Sequence, residues 1–259
     1  MRLSILSAKG GVGKSTISLL LAKSLAELGE RVMIMDRDPV ASISMLLGAR
    51  REGLVESLAQ GREPTGFTLS SGNITVVKCF GQGPRYLLDL ETVMKTPELS
   101  LKMQRKCEEV LSGDYSFFIV DNASFVMPQE PLVSLEFNTF LRLRPKEKVL
   151  RVYISDPSEY SLRVTEDYFK KLESLKPAGE PYAFIINLVP PFEDSIKASK
   201  KHLDSVISEL ELRDGFILPF IEELFQLSSP NVKVPREIEE FSRRLVKLRA
   251  VQEVGAGRA

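Results

Sequence analysis

Eight consecutive residues, Lys9-Gly10-Gly11-Val12-Gly13-Lys14-Ser15-Thr16, constrain this chain more than any other stretch. They follow a short apolar run (Leu3, Ile5, Leu6) and open a helical pattern (Ile17, Leu20, Leu21, Leu25, Leu28). Strand, glycine loop and helix with Gly-Lys-Ser at the joint form a phosphate-binding loop. The glycines let backbone N–H groups turn inward on an anion, and the helix start adds unpaired donors and partial positive charge. The whole stretch Lys9–Thr16 is therefore a candidate nucleotide cradle. Lys14 is expected to reach the β- and γ-phosphates. The Ser15 hydroxyl is a candidate Mg²⁺ ligand, because that hard ion takes oxygen ligands and keeps waters.

The common form of this loop begins with glycine at the position held here by Ala8, and it lacks the extra Lys9. The string K-G-G-V-G-K-S-T resembles the deviant phosphate-binding loop of the MinD/ParA ATPases. The resemblance implies that Lys9 reaches across a dimer to the partner's nucleotide.

Composition fits a soluble α/β protein with a sizeable core: 43% hydrophobic and 27% charged residues over 259 positions. Formal net charge is zero, so no global field draws the chain to nucleic acid or acidic membrane. Cys79 and Cys107 are far apart and form no Cys-x-x-Cys pair, which fits a reducing cytoplasm and argues against a thiolate metal site. A strand begins within a few residues of Met1, so no signal peptide is expected, and no apolar run approaches the roughly 20 residues that span a bilayer.

Apolar β-type runs occur at Leu3–Ser7, Val32–Met35, Ile74–Val77, Phe117–Val120, Val149–Ile154, Tyr182–Ile186 and Phe216–Leu218. Helix patterns lie near 14–28, 97–112, 158–175, 196–211 and 235–252. The alternation predicts a mainly parallel twisted sheet flanked by helices on both faces, a three-layer α/β/α arrangement within a single domain of residues 1–259. Two stretches read as irregular: 60–73, rich in Gly, Ser and Thr, and 122–148, with Pro128, Pro131 and Pro145.

Parallel sheets bind ligands at the carboxyl ends of their strands. Those ends carry Ser7, Asp36, Asp121, Ser155 and Asn187. Asp36 and Asp38, in Asp36-Arg37-Asp38-Pro39, are placed to supply carboxylate near the metal. The D-x-D-P resembles the first switch of MinD/ParA proteins, which implies that Asp38 lies beside the attacking water. Asp121 ends Phe117-Phe118-Ile119-Val120 in the form of a Walker B strand, whose carboxylate faces Mg²⁺. The family continues D-x-P-x-G there, whereas this chain reads Asp121-Asn122-Ala123-Ser124-Phe125. The resemblance makes Asn187 a reader of the adenine edge, a task suited to an amide that both donates and accepts.

The last helix pattern carries Ile238, Phe241, Leu245 and Leu248 on one face, with basic residues elsewhere; packing against the sheet is the simpler expectation than membrane attachment. Its end, from Gln252 to Ala259, reads as a frayed polar tail. Basic clusters at Arg142, Arg144, Lys146, Lys148 and Arg151, and at Lys197, Lys200 and Lys201, leave room for non-specific DNA contact.

The resemblance implies an ATP- and Mg²⁺-dependent homodimeric switch with weak ATPase activity. Its site would combine Lys9, Lys14 and Asp38 for catalysis, Ser15, Asp36 and Asp121 for the metal, and Asn187 with the loop for the nucleotide. Such a switch serves DNA partitioning or positions a cellular complex, with a protein partner. Related enzymes of this fold, dethiobiotin synthetase and the cobyrinate amidases, use ATP to activate a carboxylate; Lys9 favours the switch. A maturation ATPase and an ATP holder that hardly turns over are the other readings.

Overall fold

The computed structural model describes residues 1–81, 83–226 and 232–256, with only the backbone of 225, 226 and 252–256. Eight strands form one sheet: β1 (Arg2–Leu6), β2 (Val32–Arg37), β3 (Thr68–Ser71), β4 (Ile74–Lys78), β5 (Phe117–Asn122), β6 (Val149–Ser155), β7 (Glu180–Val189) and β8 (Asp214–Pro219). Their spatial order is β3-β4-β2-β5-β1-β6-β7-β8, and every pairing is parallel except β3 with β4. The described helices are α1 (Lys14–Glu27), α2 (Ser42–Leu46), α3 (Leu54–Ala59), α4 (Tyr86–Lys95), α5 (Pro97–Leu111), α6 (Pro131–Leu143), α7 (Glu159–Ser174), α8 (Glu193–Glu209), α9 (Glu222–Gln226) and α10 (Arg236–Ala256).

Side chains alternate across a strand, and here the alternation sorts the chemistry. Leu3, Ile5, Val32, Ile34, Phe117, Ile119, Leu150 and Val152 join a core with α1 and α10. Met33, Met35, Phe118 and Val120 point to the other face, under α3 to α6. Tyr153, Phe184 and Ile186 meet α7 and α8 on that second face. Continuing each strand by one more residue fixes the site: Asp36 and Asp121 fall on the α1 face, Arg37 and Asn122 on the opposite one.

Strand β1 lies between β5 and β6, so the chain leaves it in one direction and later returns to its other side. That reversal opens a crevice at the carboxyl end of β1, where open α/β sheets take ligands. The phosphate-loop residues follow that end.

Three expectations change. The stretch 60–73 contains the edge strand β3, a short antiparallel partner whose alternation is hidden by its Ser and Thr residues. The stretch 122–148 is not irregular throughout: α6 runs through it with Pro131 at its first turn, where a missing N–H costs nothing. The tail is helical as far as Ala256; residues 257–259 lie outside the described residues. Helix α10 buries Ile238, Phe241 and Leu245 completely, as expected of a packed helix.

Candidate nucleotide site

The loop after β1 turns through two left-handed glycines, Gly11 (φ +78°) and Gly13 (φ +93°). Gly13 caps α1, and its carbonyl accepts from Ile17 N at 2.9 Å. A side chain on Gly13 would be doubly excluded, by its backbone conformation and by collision with the Asn187 amide. Asn187 closes the loop from β7: it is buried, and its Nδ2 donates to Val12 O at 2.9 Å.

A cleft of about 560 Å³ opens over the loop, lined among others by Gly10, Gly13, Lys14, Ser15, Thr16, Asp38 and Asn187. Its far wall is apolar, built by Leu188, Leu218, Pro219, Ile221 and Leu224. Polar donors at one end and an apolar wall at the other suit a nucleotide's phosphates and base respectively.

Lys14 is buried, and its Nζ donates to Ser7 Oγ at 2.9 Å and Ser124 Oγ at 3.1 Å. Burial lowers its pKa, against the pull of Asp121 and Asp38. Two hydroxyls, rather than a carboxylate, hold the ammonium, so anionic oxygens would out-compete them for it. Lys9, by contrast, is 46% exposed and pairs with Asp156 Oδ2 at 2.7 Å. Asp156 is itself tied to Ser158 through its N and Oγ.

Ser15 Oγ donates to Asp121 Oδ2 at 2.6 Å, and Ser18 Oγ to its other oxygen at 3.3 Å. Asp36 receives Ser44 N and Oγ on Oδ2, at 2.9 and 2.6 Å, and leaves its buried Oδ1 without a partner. Both aspartates are fully buried. Burial first, then the Asp36 charge, pushes Asp121 up to about 8; burial likewise pushes Asp36 up to about 6, opposed by the Ser44 bonds. Asp38 is half-buried at the cleft, its Oδ1 accepting from Val40 N at 2.9 Å.

These donors fit Mg²⁺. Ser15 offers an oxygen at the cleft, Asp121 stands behind it, and the orphaned Asp36 Oδ1 lacks a positive partner. Among the described residues no three His, Cys, Asp or Glu side chains gather into a dedicated cage. Magnesium takes one or two protein carboxylates plus substrate phosphates, so this set would suit it once a nucleotide brought its phosphates.

Of the residues expected at the site, Gly10, Gly11, Gly13, Lys14, Ser15, Thr16, Asp38 and Asn187 line the cleft; Asp121 lies behind Ser15, Asp36 is buried on Ser44, and Lys9 is exposed and paired with Asp156. Ser124 escaped the sequence reasoning. It sits in the segment that departs from D-x-P-x-G, where only a hydroxyl three residues beyond Asp121 could have signalled it. Three members of the first basic cluster are engaged within the chain: Arg151 is buried on Glu173, the exposed Arg142 pairs with Glu108, and the half-buried Arg144 donates to the Leu111 and Gly113 carbonyls. Lys200 and Lys201 are exposed on α8. Both cysteines are buried thiols, their pKa values raised by burial. No described helix is long and apolar enough to cross a membrane.

Residues 3–235 match the family model described as the CobQ/CobB/MinD/ParA nucleotide binding domain. Over 60 residues the chain is 45% identical to the chromosome-partitioning ATPase Soj of Thermus thermophilus, covering 23% of this chain and 24% of that protein. Over 126 residues it is 29% identical to an iron–sulfur cluster carrier protein of Pyrococcus horikoshii, covering 46% of this chain and 42% of that one. The matches thus span less than half the length of these curated relatives. Among solved structures, the septum site-determining protein MinD of Pyrococcus horikoshii, complexed with Mg-ADP, superimposes with a TM-score of 0.66 at 18% identity, over 97% of this chain and 98% of that one. At that identity the likeness is one of fold.

Proposed function

Because the chain belongs to the CobQ/CobB/MinD/ParA nucleotide-binding domain family, we propose that it is an ATP-dependent, slowly hydrolysing switch that pairs two copies of itself around nucleotide. One observation carries this reading: Lys14 is buried at the joint of the phosphate loop while Lys9, in the same loop, is exposed. Lys14 serves the chain's own phosphates. Lys9 is free to reach those of a second copy once it leaves Asp156.

In this reading Lys14 neutralises the charge that grows on the phosphate oxygens, supported by the loop N–H groups. Ser15 and Asp121 would hold Mg²⁺, with Asp36 behind them. The bound ion would draw charge from the β- and γ-oxygens. Asp38 orients the attacking water from the cleft wall. The apolar wall and the amide of Asn187 receive the base. The role served is DNA partitioning or the positioning of a cellular complex in the cytoplasm, with a protein partner. The exposed lysines of α8 are the surface offered to DNA.

The test is the mass of the Asp38→Ala protein by analytical ultracentrifugation. It should be dimeric with Mg·ATP and monomeric with Mg·ADP, or with Mg·ATP when Lys9→Ala is added. A monomer under all three conditions refutes the dimeric switch. Phosphate release by the wild type in a single turnover separates a hydrolase from a nucleotide holder.

A further inference from the structure

Behind the acidic strand ends, on the opposite face of the sheet, two arginines share one carboxylate. Arg2 Nη1 and Nη2 donate to Glu136 Oε1 and Oε2 at 2.6 and 2.7 Å, and Arg37 Nη1 donates to Glu136 Oε2 at 3.0 Å. The second Arg37 amino group donates to Asn122 Oδ1. Arg2 is 1% exposed, Arg37 5% and Glu136 0%. Burial alone would raise the Glu136 pKa, but the two guanidinium groups hold it below the ordinary range. The triad thus carries two positive charges and one negative charge in a dry setting. The neighbouring Arg151 adds nothing to this imbalance, since Glu173 and two carbonyls pair it separately.

Each arginine also leaves its Nε–H without a partner. Both side chains line a cavity of about 50 Å³ between α6 and α7, together with Ser4, Val133, Phe137 and Leu172. That volume holds one or two waters, at roughly 30 Å³ each, or one halide. A water receiving the two N–H bonds would still need acceptors for its own hydrogens. Arginine has none, so a water's acceptors would have to be the Ser4 hydroxyl or the second lone pair of Asn122 Oδ1, and a neutral water held there would leave the net positive charge in place. A buried, uncompensated cation is costly, and a weakly hydrated anion against apolar walls would cancel it.

We propose that the cavity between Arg2 and Arg37 is a binding site for one small monovalent anion of the chloride class. Arg37 lies between Asp36 and Asp38 in the chain and pairs in register with Asn122, the residue after Asp121. The anion would therefore lie behind the acidic strand ends, on the far side of the sheet, where it offsets the charge of Arg2 and Arg37.

Thermal melting in sodium chloride against sodium gluconate at equal ionic strength tests this, because gluconate is too large to enter. Chloride should raise Tm saturably, by about 3 °C at a tenfold excess over Kd. The ³⁵Cl NMR line should broaden with protein, and part of that broadening should vanish in Arg37→Met, where the triad becomes a neutral pair. If Arg37→Met does not fold, Val133→Phe fills the cavity without touching a charge and should remove the same part. Chloride at the phosphate loop would survive both substitutions. Equal melting in the two salts, or broadening that neither substitution reduces, overturns the proposal in favour of water.

Discussion

Asp36 and Asp121 are paired in register on adjacent parallel strands, β2 and β5, and both carboxylates are buried on the side of the sheet that carries α1. Neighbours in register point the same way, so the fold sets two acids side by side on the α1 face, with Lys14 acting on Asp121.

That crowding makes stability depend on pH in a defined direction. Both carboxyl groups titrate above their unfolded values, Asp36 at about 6 and Asp121 at about 8. Between about pH 4 and 8 these two carboxyl groups hold more protons in the folded chain than in the unfolded one, so their contribution to nucleotide-free stability should fall as pH rises through this window. Asp121→Asn keeps the shape and removes the charge. Its melting curve should be flatter across the window and lie above wild type at pH 8, by on the order of 1–3 kcal/mol in urea titration. A variant that is less stable at pH 8 would contradict the argument.

The Lys9–Asp156 pair holds the exposed lysine on its own chain. Lys9 is 46% exposed, so the pair itself contributes little, about 0–1 kcal/mol. Asp156→Ala should therefore leave Tm nearly unchanged while freeing Lys9. In the proposed switch, sedimentation with Mg·ATP should show a dimer forming at several-fold lower protein concentration.

Gly13 is constrained from two sides. Gly13→Ala should abolish detectable nucleotide binding by calorimetry, because the new methyl meets Asn187 Nδ2 and the φ of +93° disfavours any Cβ. Adding Asn187→Gly removes the collision but not the left-handed backbone, which costs roughly 1–2 kcal/mol. The double variant should recover folding before it recovers affinity.

Glu136 stands between two buried guanidinium groups. Glu136→Ala removes the carboxylate that both share and should cost about 3–5 kcal/mol in chemical denaturation. Glu136→Gln keeps the volume but not the charge and should also be strongly destabilising. A loss under about 1 kcal/mol in either variant would mean the triad is solvated.

Much of the nucleotide site was legible because its signals are local. Lys9–Thr16 specifies a glycine turn opening a helix, and four apolar residues before Asp121 specify a buried strand tip. Helix α6 was obscured by Pro131, which suggests a break in sequence but fits a helix's first turn. Strand β3 was obscured by a polar edge whose pairing, not its composition, makes it a strand.

By itself the sequence determined the alternation of strands and helices, the phosphate loop and the acidic strand ends. Those depend on spacing within a few residues and on the period of two along a strand. Only the tertiary structure decided what meets across long separations: Lys9 with Asp156, Lys14 with Ser124, Asn187 beneath Gly13, and Arg2 with Glu136 and Arg37. Such pairs follow from strand order and register, which no local pattern encodes. The same register separates the two chemistries of adjacent residues, placing Asp36 on the α1 face beside Asp121 and Arg37 in the charged cavity on the other.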